Sequence, residues 1–99
     1  MPELRALPQR ERAALRGALE KLAALGEELG YPHTSAVQGA GETLRELRPR
    51  QGDSPVRAFY RRVGDTLVIA AVGPEAQVDP RGFKRAVAAA LERLAAEGE

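Results

Sequence analysis

Residues Leu67 to Val72, within the stretch TLVIAAV, are apolar at odd and even positions alike. Successive side chains of a strand point to opposite faces of its sheet, so a run with no polar face must be covered on both sides. Such a run predicts a central strand, or one shielded over part of its surface by a partner. Without a partner, the rest of this 99-residue chain has to supply that cover.

Two alternating stretches precede the apolar run. Leu44 to Arg48 places Leu44, Glu46 and Arg48 on one side and Arg45 and Leu47 on the other, and Pro49 closes it. Val56 to Arg62 places Val56, Ala58 and Tyr60 on one side and Arg57, Phe59 and Arg61 on the other. The turn formers Gln51-Gly52-Asp53-Ser54-Pro55 join these two stretches, and Gly64-Asp65 joins the second to the apolar run.

Helical spacing flanks the strands. Leu15, Leu19, Leu22 and Leu29 recur at intervals of three, four and seven between Pro8 and Leu29, with Gly26 as a point of bending and Gly30 with Pro32 as the stop. Phe83, Val87, Ala90, Leu91 and Leu94 form a stripe from Pro80 to Ala96, behind the capping pair Asp79-Pro80. Tyr31 to Gly41 shows no sustained period and reads as a loop or an extended lead-in. Its Gly39-Ala40-Gly41 lacks the third glycine, strand and helix of a nucleotide fingerprint. The expected fold is therefore α+β: an N-terminal helix or helical hairpin, a three-stranded antiparallel sheet, and a C-terminal helix packed on that sheet, in one domain over residues 1–99.

Composition excludes several classes of function. The chain has no cysteine, so thiolate-ligated metals and disulfides are ruled out, and His33 alone, without metal-ligand spacing around it, predicts no metal and no cofactor. No apolar run approaches the length of a membrane span, and the N-terminus lacks a signal core, which predicts a soluble, cytoplasmic protein with no membrane partner. Only two Phe and two Tyr are present, so the core must come from Leu, Val and Ala.

Charge is concentrated in one place. Between Thr43 and Arg62, six arginines (Arg45, Arg48, Arg50, Arg57, Arg61 and Arg62) stand against Glu46 and Asp53, a local balance of +4 in a chain whose total is +1. Solvated charges held by Glu42, Glu46 or Glu75 are the simpler account of this cluster. Its density and the two aromatics inside it favour a binding face. Glu46 is expected to hold Arg48 or Arg57 in place.

The segments ELRPR (Glu46 to Arg50) and VRAFYRR with Gly64-Asp65 (Val56 to Asp65), with a short loop before Asp79-Pro80, resemble the RelE/ParE superfamily of toxins. LGYPHTSAV (Leu29 to Val37) falls between helix and sheet in that pattern, and the likeness runs from about Leu7 to Leu94. Within the superfamily the chain is most similar to the HigB-like branch, whose members often carry an ELR strand motif and an arginine-bearing strand ending in tyrosine. The resemblance implies the toxin of a type II toxin–antitoxin pair, a metal-independent endoribonuclease (mRNA interferase) that cuts messenger RNA on the ribosome. It also implies a helix-turn-helix antitoxin as partner, and it allows a homodimer.

Such cleavage needs a group to take the 2′-hydroxyl proton, positive charge on the non-bridging phosphate oxygens, and an acid for the leaving 5′-oxygen. The resemblance assigns Arg48, Arg50, Arg57 and Tyr60 to catalysis, the arginines gripping phosphate and Tyr60 moving a proton or stacking on a base. It assigns Arg45, Arg61 and Arg62 to flanking phosphates.

Two features depart from the family pattern. Lysines usual before the last helix are replaced by Pro74-Glu75-Ala76, where Glu75 could act as a general base; lost or reduced nuclease activity is the simpler account of an acidic loop beside a polyanion. Relatives also begin with a strand before the first helix, whereas this chain starts almost at the helix. A later annotated start, or an open sheet edge awaiting a partner strand, would account for that. The alternatives to the nuclease are a non-catalytic RelE-fold module that pairs with a helix-turn-helix regulator, and a general binder of single-stranded RNA.

Overall fold

The leucine spacing near the N-terminus produces helix α1, Gln9–Leu25, with Leu15 and Leu22 buried and Pro8 at its N-cap. In the computed structural model, which describes residues 5–37 and 44–97, α1 ends four residues before Leu29. Gly26 adopts φ 55° and donates its N–H to the carbonyl of Leu22, and residues 26–28 form one 3-10 turn. That left-handed conformation is cheap for glycine alone, so Gly26 and not Gly30 terminates the helix. Gly39-Ala40-Gly41 and Glu42 lie outside the described residues.

Four strands follow: β1, Thr34–Ala36; β2, Arg45–Leu47; β3, Val56–Val63; and β4, Thr66–Pro74. They form one antiparallel meander in the order β1-β2-β3-β4. The expected three-stranded sheet is thus four-stranded. The added strand lies in the segment expected to be a loop or an extended lead-in, and it pairs Thr34 with Leu47 and Ala36 with Arg45. Three residues are too few to show a period, so β1 exists through its pairing and not through its own pattern.

The apolar strand β4 is also not central. It lies at the edge of the sheet and pairs only with β3 among the described residues. Its two apolar faces are explained by a helix on each side. On one face Leu15, Leu22 and Leu29 meet Leu47, Val56, Ala58, Tyr60 and Val72. On the other, helix α2, Pro80–Glu97, sets Ala86, Ala90 and Leu94 against Leu44, Phe59, Ala70 and Ala71. Phe83 adds an edge-on ring contact to Phe59, with centroids 5.4 Å apart.

Asp79 starts α2 as its side chain predicts, its Oδ1 accepting the N–H of Gly82 at 2.9 Å. Close approach of α2 to the sheet depends on Gly73, where an added Cβ would lie 2.4 Å from the Cβ of Ala86. The β3–β4 ladder contains a register shift: Phe59 pairs with Ala71 and Tyr60 with Ile69. Ala70 is the extra residue at this bulge, and its carbonyl accepts from Arg93 of α2 at 2.8 Å. A helix side chain therefore occupies part of the open edge. No helix among the described residues is long and apolar enough to cross a membrane.

Candidate functional site

Alternation along β2 and β3 determines which arginines can meet. Glu46 pairs with Phe59, and Arg48 and Arg57 share the sheet face of those two residues, the α2 side. The loop after β4 brings Glu75 to the same place. Together Glu46, Arg48, Arg57 and Glu75, with Gln77 and Phe83, line a groove of about 490 Å³.

Arg57 is the fixed point of this groove, with 3% of its surface exposed. Its Nη1 donates to the carbonyls of Ser54 at 2.7 Å and Val56 at 2.9 Å, and its Nη2 donates to Glu75 Oε2 at 2.6 Å. A buried guanidinium needs such partners, because an unmatched charge out of water is costly. Burial pulls the Arg57 guanidinium below its ordinary range, and neighbouring Arg48 adds to that, while Glu46 and Glu75 oppose both. Arginine starts so high that it remains a cation here.

Arg48 is positioned by three contacts. Its Nε donates to the carbonyl of Pro32 at 3.1 Å, its Nη1 pairs with Glu46 Oε1 at 3.3 Å, and its Cζ lies 5.3 Å from the ring centroid of Tyr31. Ser35 donates to the same Glu46 oxygen at 3.0 Å. Of the expected salt-bridge carboxylates, Glu46 and Glu75 thus hold Arg48 and Arg57 respectively.

The other expected catalytic residues lie elsewhere. Tyr60 is buried on the α1 face, where its hydroxyl and that of Thr34 are 2.6 Å apart and Arg45 Nε donates to Thr34 Oγ1 at 3.3 Å. The physical reason is parity: Arg57 and Tyr60 are three residues apart on one strand, so their side chains leave opposite faces. Arg50 is exposed in the turn Pro49–Gly52, with φ 54°, and lines a separate groove of about 190 Å³ with Lys21, His33 and Arg48. Gln51 beside it has φ 56°, so two non-glycine residues in succession hold a left-handed conformation, at roughly 1–2 kcal/mol each.

The three expected flanking contacts do share a site, on the α1 side. Arg45, Arg61 and Arg62 line a groove of about 530 Å³ whose apolar wall includes Leu29, Tyr60 and Leu67. Arg62 pairs there with Glu27 at 2.7 Å and lies 3.7 Å from Asp65. Its Glu27 hydrogen bond and charge hold the guanidinium above its ordinary range. The six arginines thus divide into two on the α2 face, three around the α1-side groove, and Arg50 at the turn.

Sequence reasoning passed over two residues. Tyr31 is 76% exposed and stacks with Arg48, and an aromatic between Gly30 and Pro32 in a polar loop was the available signal. Ser54 is wholly buried, its Oγ donating to Glu11 Oε1 at 2.9 Å and accepting from the N–H of Val56 at 3.1 Å. Its place among turn formers hid that role.

Residues 2–73 match a family model described as Phage derived protein Gp49-like (DUF891), a span that includes α1, all but the end of the sheet, and all six arginines. Neither curated proteins nor solved structures gave a significant match.

Proposed function

We propose, because this chain belongs to the Phage derived protein Gp49-like family and that family consists of RelE-like toxins of toxin–antitoxin systems, that it is a metal-independent endoribonuclease acting on messenger RNA at the ribosome. The observation that carries the reading is the groove in which Arg48 and Arg57 stand together beside Glu75. Glu46-Leu47-Arg48 and the strand running to Tyr60 support the finer placement in the HigB-like branch. The cytoplasm is the expected place of action, and a helix-turn-helix antitoxin is the expected partner.

In this mechanism the scissile phosphate enters between Arg48 and Arg57. Arg48, and the Nη2 of Arg57 once released from Glu75, then donate to the non-bridging oxygens as these gain charge. Glu75, 23% exposed and 2.6 Å from Arg57, accepts the 2′-hydroxyl proton. Protonation weakens its hold on Arg57 and frees Nη2 for the phosphate as the 2′-oxygen attacks. The bond from phosphorus to the 5′-oxygen then breaks, leaving a 2′,3′-cyclic phosphate, and water protonates the departing 5′-oxygen. Tyr60 takes no part at this face and serves the α1-side core.

Expression without an antitoxin should arrest growth and degrade transcripts, and Arg48→Ala should abolish both effects while the protein stays folded. Normal growth with intact transcripts would overturn the nuclease.

One observation favours a second reading. Glu46 and Glu75 match the two groove arginines charge for charge, as suits a non-catalytic RelE-fold module that binds a helix-turn-helix regulator. It predicts a stable complex with the product of a neighbouring helix-turn-helix gene and no cleavage by the isolated protein. Failure to co-purify would count against it.

A further inference from the structure

Tyr31 is the most exposed large hydrophobic side chain among the described residues, at 76%, above Val78 at 61% and Leu25 at 47%. It packs into neither hydrophobic cluster. Its ring contact is with a guanidinium, and that guanidinium is tethered to the carbonyl of the next residue, Pro32. Ring and Arg48 are therefore parts of one unit, and Arg48 continues into the groove that holds Arg57. An exposed aromatic surface beside a phosphate-binding cation is the combination that single-stranded nucleic acid requires: a flat face for a base and a charge for the adjoining backbone.

We propose that Tyr31 is a stacking platform for one unpaired nucleobase of an RNA strand whose adjacent phosphate is held at Arg48 and Arg57. The inference rests on the RNA-directed reading above and adds to it a base subsite and a preference for unpaired over duplex RNA. Stacking engages the π-face that every base has, so this subsite is tolerant of sequence and any base preference arises elsewhere in the groove. The competing account is that the ring serves only to hold Arg48.

The two accounts separate with a strand that lacks bases. Fluorescence anisotropy would compare a short 2′-O-methyl RNA, which cannot be cleaved through its 2′-oxygen, with an abasic strand of equal length. Tyr31→Ala should weaken the base-bearing strand by about 5- to 150-fold and leave the abasic strand unaffected, whereas Tyr31→Phe should stay within about twofold of the wild type. Equal weakening of both strands by Tyr31→Ala would overturn the proposal, because the ring would then act through Arg48. No effect on either strand, with Arg48→Ala still weakening both, would overturn it and leave the RNA reading intact. Wild-type protein that binds neither strand would overturn both.

Discussion

Replacing Glu75 with alanine should destabilise the protein and, at the same time, raise its affinity for anions. Arg57 is 3% exposed, and its Nη2 contact with Glu75 at 2.6 Å is the one that supplies a negative charge. Removing one partner of a buried pair costs about 3–5 kcal/mol. Two facts reduce that figure here. Glu75 is 23% exposed, so water reaches the vacated position, and the carbonyls of Ser54 and Val56 still accept from Nη1. The expected loss is about 2 kcal/mol, or about 8–16 °C in Tm for a chain of this size. Urea unfolding would measure it, with an unchanged slope showing that the unfolded state is not the cause. Inorganic phosphate should then stabilise Glu75→Ala more than wild type, because an anion that binds only the folded state substitutes for the lost carboxylate. A loss below about 0.5 kcal/mol would refute the claim that Glu75 neutralises a desolvated guanidinium. Equal stabilisation of both proteins by phosphate would refute the claim that Arg57 is freed to bind an anion.

Thr34→Val should cost about 1–3 kcal/mol by leaving the buried Tyr60 hydroxyl without its partner, and adding Tyr60→Phe should recover part of that loss in a thermal melt. Tyr60→Phe alone should leave RNA cleavage unchanged, since the hydroxyl is on the face opposite Arg57. Gly73→Ala should cost about 1–3 kcal/mol, read by denaturant titration, because its new methyl would overlap that of Ala86. RNA binding should weaken with salt at a log–log slope of about −0.7 per phosphate neutralised, and Arg48→Ala should reduce that slope by about one phosphate.

Periodicity carried most of the architecture. The alternation of Val56, Ala58 and Tyr60 against Arg57 and Phe59 assigned these five side chains to the sheet faces they occupy. The same alternation forbids Arg57 and Tyr60 from meeting one ligand on one face. Family motifs place both in one catalytic set, and the strand's own parity separates them. The apolar pattern of β4 could not distinguish a central strand from an edge strand with a helix on each face, because both bury the same side chains. Gly26 and Gly30 are equally good helix stops as residues, and the chain turns at the first of them. The Arg57–Glu75 pair joins residues 18 apart through two different elements, so no local rule could specify it.

Ser54 connects parts of the molecule that the sheet otherwise separates. Its hydroxyl holds Glu11 at the beginning of α1, and its carbonyl holds the guanidinium of Arg57 on the opposite face. One serine thus ties the first turn of α1 to the backbone that holds the groove's most buried cation. Ser54→Ala would cut the tie to α1 while leaving the carbonyl, and the arginine bond to it, in place.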